Sequence, residues 1–549
     1  MNKQELVRAF AIATVTLPGL LLSASIVLAD GTGVGDKRAN ADPVPLTGSV
    51  PKADCGPGDH TESGLQGQTT TEERFSGDSK LGYNCNLELV GRYRGEGAFS
   101  QDGPAYAGDC AYYATDHVTS LQQHLGVTVI DASDPQHPQP SAYLDDTAAA
   151  LAPHETVQTN NRSHLLVVAQ SGGPDFAVYD ISADCRHPVL KADIQLPGSH
   201  GHMGAFAPDG RTYWLTQSFR GPGGFLYSVD LADPSNPLVL PPWQFLGDGR
   251  PHGLELNPPG FEPGVPEGTR VYAGQPGDFG NTSGDIGPDG LVIEDVSDYQ
   301  LRRPNPQIRI ISTLFWSDQG IAEPMVPVKI KGHPYIISSD EGGGAGGVGG
   351  LAAACARGQS LWGYPQIIDV GDETTPKIIA KLRLEVSDPA NCLQQVNETP
   401  PDAPGTAPGT NLPAASGTTN YSEERCVADN PNNATMLACS FQNAGLRVFD
   451  IRDPYHAKEI AYWKPPAVRT ELRASSGSWA PGVDRTVDKI AGWARWVVAG
   501  NSQDNNSNGN GNGTELELWT VSDGNGFQIL RFTDNFKAQH KDLFENSGN

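Results

Sequence analysis

Three histidines and a glutamate hold equivalent places along this chain. His154 (APHETV), His202 (HGHMGA), His252 (RPHGLE) and Glu323 (IAEPMV) each open an apolar run that precedes a strand closed by Asp. Imidazole nitrogen and carboxylate oxygen are ligands that suit Zn, Fe, Cu or Ni. Four such residues converging on one point could hold a metal for redox or hydrolytic work. Imidazoles also bond backbone carbonyls or ordered water without any metal, and ligands about 2.1 Å from one ion must approach one another closely. His200 competes with His202, because only one of two alternating strand residues faces a given side. A second set, Gln170, Gln217, Gln275, Asp340, Glu341 and Gln442, recurs near the ends of the next strands. Amides and carboxyls there either read a ligand by hydrogen bonds or cap strand ends.

Whether these residues meet depends on the elements that carry them. A hydrophobic strand closed by Asp, a polar turn and often Pro recurs six times, as VTVIDASDPQHP (127–138), FAVYDISADCRHP (176–188), FLYSVDLADPSNP (225–237), LVIEDVSD (291–298), QIIDVGDETTP (366–376) and LRVFDIRDP (446–454). The closing Asp residues are 49 to 81 positions apart, which is the spacing of a supersecondary repeat. Asp accepts a hydrogen bond from the backbone two residues on, and Pro fixes φ where the chain reverses. Around each phrase four antiparallel strands can be drawn. In the third unit these are His202–Phe206, the turn Pro208-Asp209-Gly210-Arg211 leading into Thr212–Gln217, then Phe225–Asp230 and Pro237–Leu240. Four strands per repeat is a blade, so the fold class is all-β and the architecture a β-propeller.

Six phrases give six blades, and Trp493–Gly500, Glu515–Val521 and Phe527–Phe532 suggest a seventh. The early strand Asn86–Tyr93 can close the ring against it, which removes exposed sheet edges. In this register the first strands ring a central channel and open at one face, T. Gln275–Gly290, Glu341–Gly363, Ser387–Glu423 and Asn501–Thr514 are long loops at that face, whereas the phrases, His164 and His333 fall at the opposite face, B.

The phrases resemble the LVIVD repeat of bacterial and archaeal secreted or cell-surface proteins. The resemblance covers about 124–465 and weakens at 291–298, which lacks Pro after Asp298, and at 366–376, which reads Gly-Asp-Glu. It implies a β-propeller and little about activity. Segment 202–214 (HMGAFAPDGRTYW) is similar to a strand pair of lactonase-type and other propellers, a likeness of fold that carries no function.

Residues 1–29 have the form of a secretory signal, with Lys3 and Arg8 before an apolar stretch and Val27-Leu28-Ala29 before Asp30. The stretch is almost long enough for an anchor, but Pro18-Gly19 and the small residues at its end favour cleavage, leaving no other membrane span. All eight cysteines follow it, as an oxidising compartment would allow. Cys426 and Cys439 flank a hairpin turn, and Cys55–Cys85 and Cys355–Cys392 are close in sequence. Eight cysteines nevertheless permit 105 connectivities. Residues 30–85 read from composition as a flexible leader, 86–535 as the propeller with insertions at 341–363, 387–423 and 501–514, and 536–549 as a tail.

A net charge of −26 argues against nucleic acid and anionic membrane as partners. The glycine run 342–350 contains G-x-G-x-x-G without a βαβ context, and Asp278, Asp285 and Asp289 match no EF-hand spacing. With no H-E-x-x-H, G-x-S-x-G or Walker motif, two readings of function stand. One is a secreted binding or surface-interaction module for a protein or small molecule, with a polar pocket at the channel. The other is a metal-dependent oxidoreductase or hydrolase using Zn, Cu or Fe on His154, His202, His252 and Glu323; a lactonase-like hydrolase is a third, weaker form.

Overall fold

Each Asp-closed phrase forms the third strand of a four-stranded antiparallel blade, and seven blades make a seven-bladed β-propeller. The computed structural model describes residues 47–98, 103–115, 124–153, 155–199, 201–217, 224–244, 251–275, 289–318, 320–343, 350–394, 421–468, 487–499 and 515–544. From the axis outward, blade 1 is Ala105–Ala107, Cys110–Ala114, Val127–Asp131 and Gln139–Leu144. Blade 2 is Gln158–Asn160, Leu165–Ala169, Asp175–Asp180 and Val189–Gln195. Blade 3 is Gly201–Phe206, Thr212–Gln217, Phe225–Asp230 and Leu238–Val239, with Trp243–Gln244 added beside its third strand. Blade 4 is Leu254–Leu256, Arg270–Gln275, Asp289–Asp295 and Arg309–Trp316. Blade 5 is Ala322–Ile330, His333–Asp340, Gln366–Asp369 and Lys377–Lys381. Blade 6 is Arg425–Ala428, Met436–Ser440, Leu446–Asp450 and Lys458–Lys464.

Blade 7 joins the two ends of the ring. Its inner strands are Arg495–Ala499, Glu515–Ser522 and Gly526–Phe532, and Leu87–Tyr93 supplies the outermost, with Leu87 opposite Phe532. The closure expected from the early strand is therefore present.

The phrases work as turns for the expected reason. Asp131, Asp180, Asp230, Asp295, Asp369 and Asp450 each accept the backbone N–H two residues on, at 2.8–3.1 Å. The copy at 291–298, with Tyr299 after its second Asp, continues instead into a short helix, Ser297–Gln300. His164 is exposed and His333 pairs with Asp369 at 2.7 Å at these corners, away from the channel mouth.

Residues 47–85 depart from the flexible leader expected of their composition; residues 1–46 lie outside the described residues. A capped helix, Thr71–Ser76, leads to Tyr83–Cys85, which adds a fifth strand to the outer edge of blade 6. Glu62 is the physical reason that a polar segment docks. It meets the buried Arg447 at 2.8 Å and the buried Lys464 at 3.1 Å. Beyond the ring, Asp534–Gln539 and Lys541–Phe544 pack Phe536 and Phe544 on Phe532, so part of the expected tail also belongs to the fold.

The three cysteine pairs suggested by proximity form, and Cys110–Cys185 makes the fourth, tying blade 1 to the turn of blade 2. Such bridges are consistent with an extracellular or periplasmic protein. No helix among the described residues is long and apolar enough to cross a membrane.

Leu87 is fully buried with Leu446, Leu530 and Phe532 where the closing strand meets blades 6 and 7. Leu87→Ala should lower stability by about 2–5 kcal/mol through lost transfer energy and a residual cavity. Denaturant unfolding of the purified protein measures this; a change under about 0.5 kcal/mol would mean the closing strand contributes little.

Candidate functional site

The openings of the inner strands bring charged groups from blades 2 to 7 to the channel mouth. His202 lies in Gly201–Phe206, His252 precedes Leu254–Leu256, Glu323 lies in Ala322–Ile330, and Arg425 begins its strand. Glu155 enters from the start of blade 2, and Lys489 from the approach to blade 7. Close backbone packing fixes the histidines. A Cβ on Gly253, directly after His252, would lie 2.6 Å from Pro324 N and 2.7 Å from the Met203 sulfur, so only glycine fits there. The Thr216 hydroxyl also reaches the carbonyls of Met203 (2.9 Å) and His252 (2.7 Å), linking blades 3 and 4.

Arg425, Glu155, His252 and Glu323 form a closed cycle. Arg425 Nη2 lies 2.8 Å from Glu155 Oε1, and Arg425 Nη1 donates to Glu323 Oε2 at 2.6 Å. The other oxygens turn to the imidazole: Glu155 Oε2 is 4.0 Å from His252 Nε2, and Glu323 Oε1 is 3.3 Å from His252 Nδ1. His202 stacks on His252 with ring centres 4.6 Å apart, and its Nε2 is 3.6 Å from the same Glu155 Oε2. All five side chains are almost wholly buried. The His252 Nδ1 edge is also 3.1 Å from the Ala322 carbonyl. In the tautomer with its proton on Nδ1, His252 donates there and its Nε2, 4.0 Å from Glu155 Oε2, is the unprotonated nitrogen.

Acid outweighs base around this cycle. Burial, then the neighbouring Glu155, Glu341 and Glu424, push Glu323 well above the usual carboxylate range, with Arg425 opposing. Burial likewise raises Glu424, helped by Glu155 and Asp523 and opposed by Lys489 and Arg425. Glu341 is pushed up to about 8, first by burial and then by Glu424 and Glu155. Against its own burial, Lys489 is held charged by Glu424, Asp523, Glu341 and Glu155. Ligand atoms of Glu155, His202 and His252 lie within 4.8 Å of one another, as do those of His252, Glu323 and Glu341 and those of Glu155, Glu341 and Glu424.

Of the metal-ligand residues read from sequence, His202, His252 and Glu323 thus meet, while His154 lies outside the described residues, as does His200. Glu155, beside His154, supplies the contact from blade 2. Of the second set, only Glu341 joins the cluster electrostatically. Asp340 instead accepts the backbone N–H groups of Gly320, Ile321, Gly342 and Gly343 at 2.7–3.2 Å, the work of a strand-end cap. Gln442 turns the chain with φ 43°, and its carbonyl accepts from Gly445 and Ile490. Gln217 reaches the Gly198 carbonyl at 3.4 Å; Gln275 is buried opposite Gly290; Gln170 is half-buried and bonds Asp175 through its backbone. Asp289 is also buried, taking Trp316 Nε1 and the Ala322 N–H on its two oxygens, while Asp278 and Asp285 lie outside the described residues.

Sequence reasoning missed Glu155, Glu424, Arg425 and Lys489. A signal existed for two of them: Glu424-Arg425 (SEERCVA) opens the inner strand of the sixth phrase, in the register that selected the histidines.

No protein-family model and no curated protein sequence matches the chain. Solved structures similar to it include hydrazine synthase of Kuenenia stuttgartiensis (11% identity, TM-score 0.42, covering 87% of this chain and 99% of that one). Sqt1 of Saccharomyces cerevisiae is similar at 8% identity and TM-score 0.44, covering 81% and 99%. The periplasmic gluconolactonase PpgL of Pseudomonas aeruginosa is similar at 13% identity and TM-score 0.40, covering 68% and 95%. Scores this low establish neither a family nor an activity for this chain.

The raised Glu341 group has a defined pH signature. Between an unfolded value near 4.5 and a folded value of about 8, the native state keeps a proton that the unfolded chain releases, so stability falls as pH rises through that window. Glu341→Gln should flatten that fall. Urea unfolding at several pH values between about 4.5 and 8 tests it; parallel curves for the variant and the parent would rule it out.

Proposed function

We propose that this chain is an exported propeller that binds a divalent transition metal (Zn, Cu or Fe) at the mouth of its channel. The ligands are Glu155 Oε2, His202 Nε2 and His252 Nε2, and the site serves metal-dependent oxidoreductase or hydrolase chemistry. The observation that carries this reading is the spacing of the donors. Separations of 3.6 Å and 4.0 Å from Glu155 Oε2 to the two imidazole nitrogens come near the roughly 3.4 Å edge of a tetrahedron with bonds of about 2.1 Å. Two features support it. The Ala322 carbonyl beside His252 Nδ1 is the outer partner that orients metal-binding histidines. Glu155 is also buried in the left-handed backbone region at φ 55°, which a non-glycine residue adopts at a cost.

Glu323 takes a supporting place in this arrangement, held by Arg425 and facing the other edge of His252. A bound metal would act as a Lewis acid or a redox centre. The residues themselves would hold and orient it. A binding-module reading is favoured by one further observation: Glu341 is half-buried and Lys489 keeps some exposure, so a polar ligand can meet charge at the mouth. Export rests on the signal-like residues 1–29, the four disulfides and the resemblance to the LVIVD repeat.

Metal analysis of the purified mature protein after reconstitution with Zn, Cu or Fe should find one equivalent per chain. His252→Ala should weaken binding by more than the roughly 10–100-fold that loss of an outer partner costs. A folded protein that stays metal-free in all three reconstitutions would overturn the proposal.

A further inference from the structure

We infer that Arg425 is a positioning residue that restricts Glu155 to one ligating oxygen and thereby keeps a coordination position open for an exogenous ligand. The inference rests on the metal reading above. Its starting point is the division of labour between the two oxygens of Glu155. Oε1 is held by Arg425 Nη2 at 2.8 Å, whereas Oε2 faces both imidazoles. Without a competing cation, a carboxylate beside a metal can coordinate through both oxygens. With Oε1 engaged, it offers a single oxygen.

Arg425 cannot readily leave that place. Its Nη1 donates to Glu323 Oε2 at 2.6 Å and to the Glu424 carbonyl at 2.8 Å, and its guanidinium carbon stands 5.8 Å from the centre of the Trp493 ring. The side chain is only 1% exposed, so its charge has to stay among these partners. A positive charge so near a metal would weaken binding, but Glu323, Glu341 and Glu424 surround it and offset the repulsion.

Two imidazoles and one carboxylate oxygen fill three positions. A three-ligand set with free positions is the pattern of sites that take water or substrate. Glu341 and Lys489, the partly exposed members of the cluster, mark the side from which such a ligand enters. The ligand class is a small oxygen donor or anion, namely water, hydroxide or a substrate oxygen.

The test loads the full mature chain with Co(II) and titrates azide, reading the visible d–d bands. Wild type should bind Co(II) and respond to azide. Arg425→Gln should keep Co(II), shift the starting spectrum towards higher coordination number, and lose at least about tenfold in azide affinity as Glu155 closes on the metal. Arg425→Lys, which restores a cation beside Oε1, should recover the azide response. An Arg425→Gln spectrum and azide titration matching wild type would overturn the inference. Should that variant fail to fold, X-ray absorption of the Zn-loaded wild type decides. Two nitrogens and a one-oxygen carboxylate support the inference, and a two-oxygen carboxylate overturns it. Wild type that takes up neither Co(II) nor any of Zn, Cu and Fe overturns the metal reading itself, whereas wild type that binds Co(II) but ignores azide overturns this inference alone.

Discussion

A full positive charge buried on the axis of the ring is the constraint around which the centre of this protein is organised. The Arg425 guanidinium is ion-paired with Glu155 from blade 2 and Glu323 from blade 5, and donates to the carbonyl of the preceding Glu424. Removing one partner from a buried charge pair typically costs about 3–5 kcal/mol, because the remaining charge has no water to return to. The cluster can therefore exist only if blades on opposite sides of the channel keep their spacing. That spacing is set elsewhere, by close inner-strand packing such as that at Gly253 and by the strand Leu87–Tyr93 that closes blade 7. Ring geometry and axial charge thus depend on each other.

The two ends of each blade solve their polar problems differently. At face B the closing Asp of every phrase accepts a backbone N–H two residues on, within its own turn. Neighbouring blades are not needed for that, so the phrases can repeat with little variation while the rest of each blade diverges. At the channel mouth the principal contacts of Glu155 and Lys489 run between blades. Glu155 finds its partners across the channel on blades 3, 4 and 6, and Lys489 meets Glu424 from the neighbouring blade. The groups there differ from those of the phrases because they pair across blades: glutamates from blades 2 and 5, histidines from blades 3 and 4 and an arginine from blade 6.

This contrast explains what could be read from the sequence. The six phrases, the seventh blade and the closing strand were legible because period-2 alternation and Asx turns are local. His202, His252 and Glu323 became legible once the phrase served as a ruler. Glu155 did not, because the adjacent His154 was the more suggestive ligand and a left-handed backbone at a glutamate leaves no sequence signal. Arg425 escaped because a search for metal ligands passes over cations. Residues 47–85 depart from their composition for a related reason. Their Gly, Pro, Ser and Thr content suggests a chain unable to bury itself, yet Glu62 docks on two cations that blade 6 supplies. Despite burial, Arg447 and Lys464 hold its carboxyl at about 2.

The same bookkeeping of charge bears on what occupies the centre. Glu155, Glu323, Glu341 and Glu424 face two fixed cations, Arg425 and Lys489, so full ionisation leaves an excess of negative charge in a poorly solvated place. Protons relieve that excess when no metal is present, which is why burial raises Glu323, Glu341 and Glu424 together. A divalent cation relieves it equally well, and each proton it displaces must be released to solvent. Metal affinity at such a site has to rise with pH until the last displaced proton is already absent. An uncharged ligand has no comparable effect on the excess. Arg425 prevents the excess from being larger still: with a neutral residue in its place, the cluster would hold more protons or draw in a further cation. The guanidinium therefore both pairs with Glu155 and lowers the net negative charge that any cation at the axis would meet.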